Sequence, residues 1–199
     1  MTGTSDYVFR GVSQTLEDPT IQGSVGIGYG MFYAGVWASG VDFGDDAEIE
    51  ADYYAGFKPT WDKLTFDLGV IYYDYPGYDA PDNEAFELKA GVSTTLHGFA
   101  LGATYFYSPD YNDKDYGVVE LTAGYTFPAF GVFTPSVTAL YGNQQDFGGT
   151  FVLPDYSYWN AGLVLAVEKL TFDFRYWDSD LAGPLADERF VFSLTLGLP

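Results

Sequence analysis

The sequence contains no cysteine, one histidine, two methionines and only eight lysines and arginines in 199 residues. Without cysteine there is no disulfide framework and no thiolate metal site. The lone histidine, His97, stands in the turn-like "LHGF" and leaves no second imidazole for a nucleophile–base couple. Ser13 and Ser93 each follow "GV" but lack the G-x-S-x-G elbow of a strained nucleophile. No catalytic residue, resident metal or cofactor is therefore expected, and the chain does not read as an enzyme. Eight cations against 28 acids give a formal charge of −20. Nucleic acid is excluded as a partner, because neutralising phosphates needs clustered lysine and arginine. No apolar run reaches the roughly 18 residues of a membrane-spanning helix. The polar opening "TGTSD" leads directly into a strand-like segment. A signal peptide removed ahead of Met1 is thus the expectation for an exported protein.

Glycine (24), tyrosine (18) and phenylalanine (17) are abundant, and 47% of residues are hydrophobic. That is too apolar for a disordered chain and points to an all-β fold. The motif "LTFD" occurs twice after a lysine, at Leu64 to Asp67 and at Leu170 to Asp173. In the second copy Leu170, Phe172, Phe174 and Tyr176 share one face, opposite Thr171, Asp173, Arg175 and Trp177. Such period-two alternation marks a strand with one apolar and one wet face.

The pattern recurs along the whole chain. Segments are expected at residues 3–13, 21–29, 32–42, 49–57, 64–73, 85–96, 99–107, 117–127, 132–141, 156–167, 170–177 and 189–198. Short turns such as His97-Gly98 and Glu168-Lys169 alternate with long acidic connections such as "FGDDAE", "SPDYNDKD" and "DSDLAGPLAD". An even strand count, strands of about ten residues and alternating short and long connections are the marks of outer-membrane barrels. The sequence thus predicts one domain over 1–199, a 12-stranded antiparallel transmembrane β-barrel in the bacterial outer membrane, with short periplasmic turns and longer acidic extracellular loops. Its apolar face meets outer-membrane lipid and its polar face lines the interior. Strand 32–42 is ambiguous, since either parity leaves apolar residues on both faces. Aromatics expected near strand ends include Tyr29, Trp61, Phe127 and Phe130 on the turn side. Tyr72, Tyr105, Tyr107, Trp159 and Trp177 are expected on the loop side.

Strand parity places Arg10, Glu50, Asp52, Asp67, Glu87, Lys89, Glu120, Asp173, Arg175 and Arg189 along the interior as candidate pore-lining residues. Mixed signs fit either a charged pore or an interior that pairs its own charges. The acidic loops favour cations at the mouth, with loose divalent binding by carboxylates. "DYNDKDYG" fails the calcium-loop spacing because Lys114 occupies a ligand position.

The opening "SDYVFRGVSQT", with Tyr7, Arg10, Gly11, Ser13 and Gln14, resembles the N-terminal signature of the TorF-type porin family of bacterial outer-membrane proteins. "FYAGVWASGVDF" and "YYDYPG" resemble its third and fifth strands. The resemblance implies a porin-like barrel without a known substrate. The expected function is passive diffusion of small cationic or neutral solutes. The alternative is a non-conducting structural barrel with a salt-bridged interior that displays its external loops.

Overall fold

A computed structural model describes residues 1–78, 85–109, 114–149 and 154–198. Its wall consists of twelve strands: β1 (Thr2–Thr4), β2 (Thr20–Tyr29), β3 (Phe32–Gly40), β4 (Ile49–Phe57), β5 (Leu64–Asp74), β6 (Ala85–Leu96), β7 (Phe99–Ser108), β8 (Lys114–Thr126), β9 (Thr134–Gly149), β10 (Tyr156–Val167), β11 (Leu170–Ser179) and β12 (Arg189–Leu196). Each pairs antiparallel with its neighbour, and Thr60–Trp61 adds a short ladder below β5. Short β1 closes the cylinder by pairing Thr2 with both Thr195 of β12 and Gln22 of β2. Closure through β1 rests on three residue pairs on each side, and joining the first and last strands is what a membrane-spanning sheet requires.

The alternation sorts side chains as the sequence predicts. Ile27 is 79% exposed and Phe190 81%, and Val25, Leu68, Leu121 and Leu163 likewise point outward. Their neighbours Asp67 and Glu120 engage partners on non-adjacent strands, across the interior. Strand β3, ambiguous by sequence, turns Tyr33 and Trp37 inward, where they meet Asp67 and Tyr7. Exposed apolar side chains in this quantity belong against lipid.

Turns at the end carrying the termini are tight. His97 and Gly98 join β6 to β7 with φ of 52° and 87°, the two positive values of a type I′ hairpin. Exposed Tyr29, Trp61, Phe127 and Phe130 sit at this end. Toward the opposite end stand Tyr105, Tyr141 and Trp159. Trp177 departs from the girdle expected for it: it lies on the parity of Asp173 and Arg175 and packs inside, against the buried cluster of Tyr116, Val118, Tyr156 and Tyr158. A buried aromatic cluster thus lies within the barrel, toward the loop end.

Two strands outrun their expected ends. β8 begins at Lys114 rather than Gly117, and β9 continues to Gly149 rather than stopping at Tyr141. The polar run "GNQQD" reads as a loop by composition, but pairing with β8 and β10 satisfies its backbone and holds it extended.

Candidate functional site

The interior is defined by a segment that the sequence places in the wall. Residues 3–13 read as one strand, yet β1 ends at Thr4 and the chain folds back inside the barrel. Val8–Phe9 and Val12–Ser13 pair as a small hairpin with Arg10 and Gly11 at its tip. These tip residues have φ of 49° and 82°, again a two-residue turn of the I′ kind. Gly11 is required twice over, because a Cβ there would also lie 2.8 Å from the Cβ of Tyr158.

The base of the hairpin is tied by Asp6. Its carboxylate accepts hydrogen bonds from Ser13 Oγ (2.7 Å), Thr15 Oγ1 (2.8 Å) and Arg189 Nη1 (3.1 Å). Arg189 also approaches Glu17 at 3.4 Å. On one side of the barrel, Tyr7 packs edge-on against Trp37 of β3 and donates to Glu50 of β4 at 2.8 Å. On the opposite side, Gly11 abuts Tyr158 of β10 and Ser179 of β11. The hairpin therefore spans the lumen.

At its tip Arg10 donates from both Nη atoms to Glu87 of β6, at 2.7 and 2.9 Å. The same carboxylate accepts the hydroxyls of Tyr73 (2.9 Å) and Tyr116 (2.7 Å). The guanidinium lies 4.7 to 5.8 Å from the ring centres of Phe9, Phe106 and Tyr116. Side-chain exposure is 5% for Arg10 and 0% for Glu87. Two ions so buried persist only when paired and hydrogen-bonded in good geometry, and a bidentate fork provides that.

The remaining sequence-derived candidates gather in smaller groups. Asp67 meets Lys89 (2.8 Å), Lys58 (3.4 Å) and the Tyr33 hydroxyl (2.6 Å). Arg175 bridges Asp173 (2.8 Å), Thr138 (2.9 Å) and Asn160. Glu120 accepts the Tyr158 hydroxyl at 2.6 Å, and Glu50 accepts Tyr75 at 3.0 Å besides Tyr7. Asp52 lines a recess with Trp37, Tyr54 and Lys89, and its Oδ1 is buried without a hydrogen bond. Sequence reasoning passed over Tyr73, Tyr116 and Tyr158 as partners of these carboxylates, although Tyr73 shares the parity of Asp67; Tyr116 lies ahead of the segment expected at 117–127. It also passed over Asp6, although a strand at 3–13 would put Asp6 on the same face as Arg10.

Below the hairpin, toward the turn end, lies a chamber of about 800 Å³. Thr65, Ser93, Thr122, Thr138, Asn160, Arg175 and Trp177 line it, with Lys63 at its turn-side limit. A second cavity of about 330 Å³ flanks Arg10 on the loop side, between Phe9, Glu50, Tyr73, Tyr75, Tyr116 and Tyr156. At the rim several acids hold the loops together. Asp180 accepts the Ser157 amide, and Asp45 accepts the Ala47 amide and the Tyr78 hydroxyl. The hydrogen bond to Asp45 raises the Tyr78 pKa above its ordinary value. The loop acids Asp79, Asp82, Glu84, Asp110 and Asp113 lie outside the described residues. Among the described residues no group of acidic or imidazole side chains is arranged to hold a metal ion.

Several solved structures share the fold. The NanC porin aligns over 99% of this chain and 98% of its own, with a TM-score of 0.65 and 10% identity. A chain from work on the in-meso crystallization of membrane proteins aligns over 98% and 80%, with a TM-score of 0.57 and 9% identity. LpxR from Salmonella typhimurium aligns over 91% and 89%, with a TM-score of 0.55 and 10% identity. At these identities the likeness is one of fold. No curated protein matches the sequence. A family model described as a bacterial protein of unknown function, Gcw_chp, matches residues 1–193.

Proposed function

The chain belongs to the Gcw_chp family of bacterial proteins of unknown function, and for this member we propose a porin-like outer-membrane barrel that admits small cationic or neutral solutes. The observation that carries this reading is the inversion of the molecule: an apolar exterior surrounds an interior of paired charges with a chamber of about 800 Å³. A soluble ligand-binding barrel has the opposite polarity. The N-terminal resemblance to TorF-type porins supports the same conclusion, as does the porin fold of the NanC likeness. The ten inward-facing charged residues from Arg10 to Arg189 act on this reading as pore lining, and rim carboxylates gather divalent cations loosely from outside.

One observation favours a second reading. The hairpin and the Arg10–Glu87 pair lie across the lumen. A barrel shut permanently in this way is a non-conducting structural protein with external loops. Single-channel recording in planar bilayers separates the two. The diffusion reading expects discrete small conductance steps. No steps from wild type, and none from a variant lacking residues 5–17, overturns it in favour of the structural barrel.

A further inference from the structure

The contact that closes the lumen has the form of a receptor filled from within. Tyr73, Glu87, Phe106 and Tyr116 come from four consecutive wall strands, β5 to β8. Together they present a carboxylate braced by two phenol hydroxyls and ring faces at cation–π distance. This combination suits a planar cation that makes two parallel hydrogen bonds while its faces lie against rings. Tyr73 and Tyr116 hold the Glu87 carboxylate from the wall itself, independently of the hairpin's own ladder. The hairpin has a ladder of only two residue pairs, Val8 with Ser13 and Phe9 with Val12. A ladder so short has little stability of its own, so the hairpin's position depends on where it docks. The cavity of about 330 Å³ beside Arg10, walled by Phe9, Tyr75 and Glu50, is also lined by Tyr73 and Tyr116, the two phenols that brace that carboxylate.

We propose that the Glu87 cage is a binding station for guanidinium-bearing solutes, that Arg10 occupies it as an internal stand-in, and that an incoming guanidinium opens the barrel by taking Arg10's place. The proposal rests on the porin reading for its consequence, opening, but not for the binding itself. Arg10 competes from a short tether, whose effective concentration is typically millimolar. The displacing solute therefore acts in the millimolar range. A compact ammonium satisfies the fork poorly and is a weaker competitor.

The test uses the full chain as wild type, Arg10→Ala and Arg10→Ala/Glu87→Gln, with guanidinium chloride as probe and equal sodium chloride as control. In detergent, millimolar guanidinium is expected to raise the thermal midpoint of Arg10→Ala and to leave the double variant unchanged. In planar bilayers Arg10→Ala is expected to conduct several-fold more than wild type and to be blocked saturably by guanidinium. Wild type is expected to open more often in its presence. If Arg10→Ala refolds poorly, its refolding yield becomes the readout, and guanidinium must increase it. Absence of any guanidinium-specific gain in midpoint or yield overturns the cage, as does an equal gain in the double variant. A folded Arg10→Ala with wild-type conductance overturns the gate. Protection of Arg10→Ala with no conductance from any variant leaves the cage standing and defeats the porin reading instead.

Discussion

Arg10 and Arg175 are both interior arginines paired with a carboxylate, yet their surroundings set very different energies. Arg10 and Glu87 are sealed among rings, whereas Arg175 and Asp173 keep 19% and 27% of their side chains exposed to the chamber. Removing Arg10 strands a buried carboxylate, and Arg10→Ala is expected to lose about 3–5 kcal/mol of stability. Arg175→Ala is expected to lose less, because Asp173 keeps part of its side chain in solvent. Urea titration of unfolding from lipid vesicles measures both, and equal losses contradict a wet lower chamber. Glycine placement follows a similar local logic. A Cβ at Gly142 would sit 2.1 Å from the ring of Tyr158, whose hydroxyl is held by Glu120. Gly142→Ala is expected to cost about 1–3 kcal/mol by overpacking. Gly28→Ala serves as the control, since a Cβ there lies at an ordinary 3.7 Å from its nearest neighbour. Comparable midpoint shifts in the two variants would show that Tyr158 moves freely.

At the scale of a strand, β8 carries the polarity test. Leu121 and Thr122 are adjacent, but Leu121 faces outward and Thr122 lines the chamber. Leu121→Arg is expected to impair folding into bilayers by about 2–4 kcal/mol if that site lies near the midplane. Thr122→Arg, with water to receive its charge, is expected to cost far less. Folding yield into vesicles distinguishes them, and equal tolerance would reverse the assignment of lipid and lumen. This polarity was legible in the sequence because alternation repeats in most strands, so an error in one boundary does not shift the others. The first segment was misread because Tyr7 and Phe9 imitate the alternation. The chain leaves the wall after Thr4, and positive φ angles at Arg10 and Gly11 then reverse it inside the barrel; an arginine before a glycine is a weak turn signal beside Asn-Gly or Asp-Gly.

For the whole molecule, charge distribution sets the ion preference. Inside, Asp6, Glu50, Asp52, Asp67, Glu87, Glu120 and Asp173 face Arg10, Lys58, Lys89, Arg175 and Arg189. The excess is acidic, and the loop connections add more acid at the mouth. Both fields act in one direction, so cation preference is expected, and it weakens as salt shortens the Debye length from about 10 Å at 0.1 M to about 3 Å at 1 M. Reversal potentials under a potassium chloride gradient, repeated at rising concentration, check this. An anion-selective reversal would show that Arg10 or Arg175 controls the constriction.

The alternation of apolar and polar residues, the even number of segments and the alternating lengths of their connections were enough to determine a closed twelve-stranded barrel with its charged face inward. These are local, repeated properties, and strand geometry converts them into a wall without knowledge of distant contacts. The pairing of the interior was decided only in three dimensions. Arg10 meets a residue 77 positions away, and Asp6 meets Arg189 across 183. Such partners share no spacing rule. They are selected by closure of the cylinder, which brings the start of the chain beside its end and leaves a buried carboxylate on β6 that Arg10, carried inward on the hairpin, neutralises.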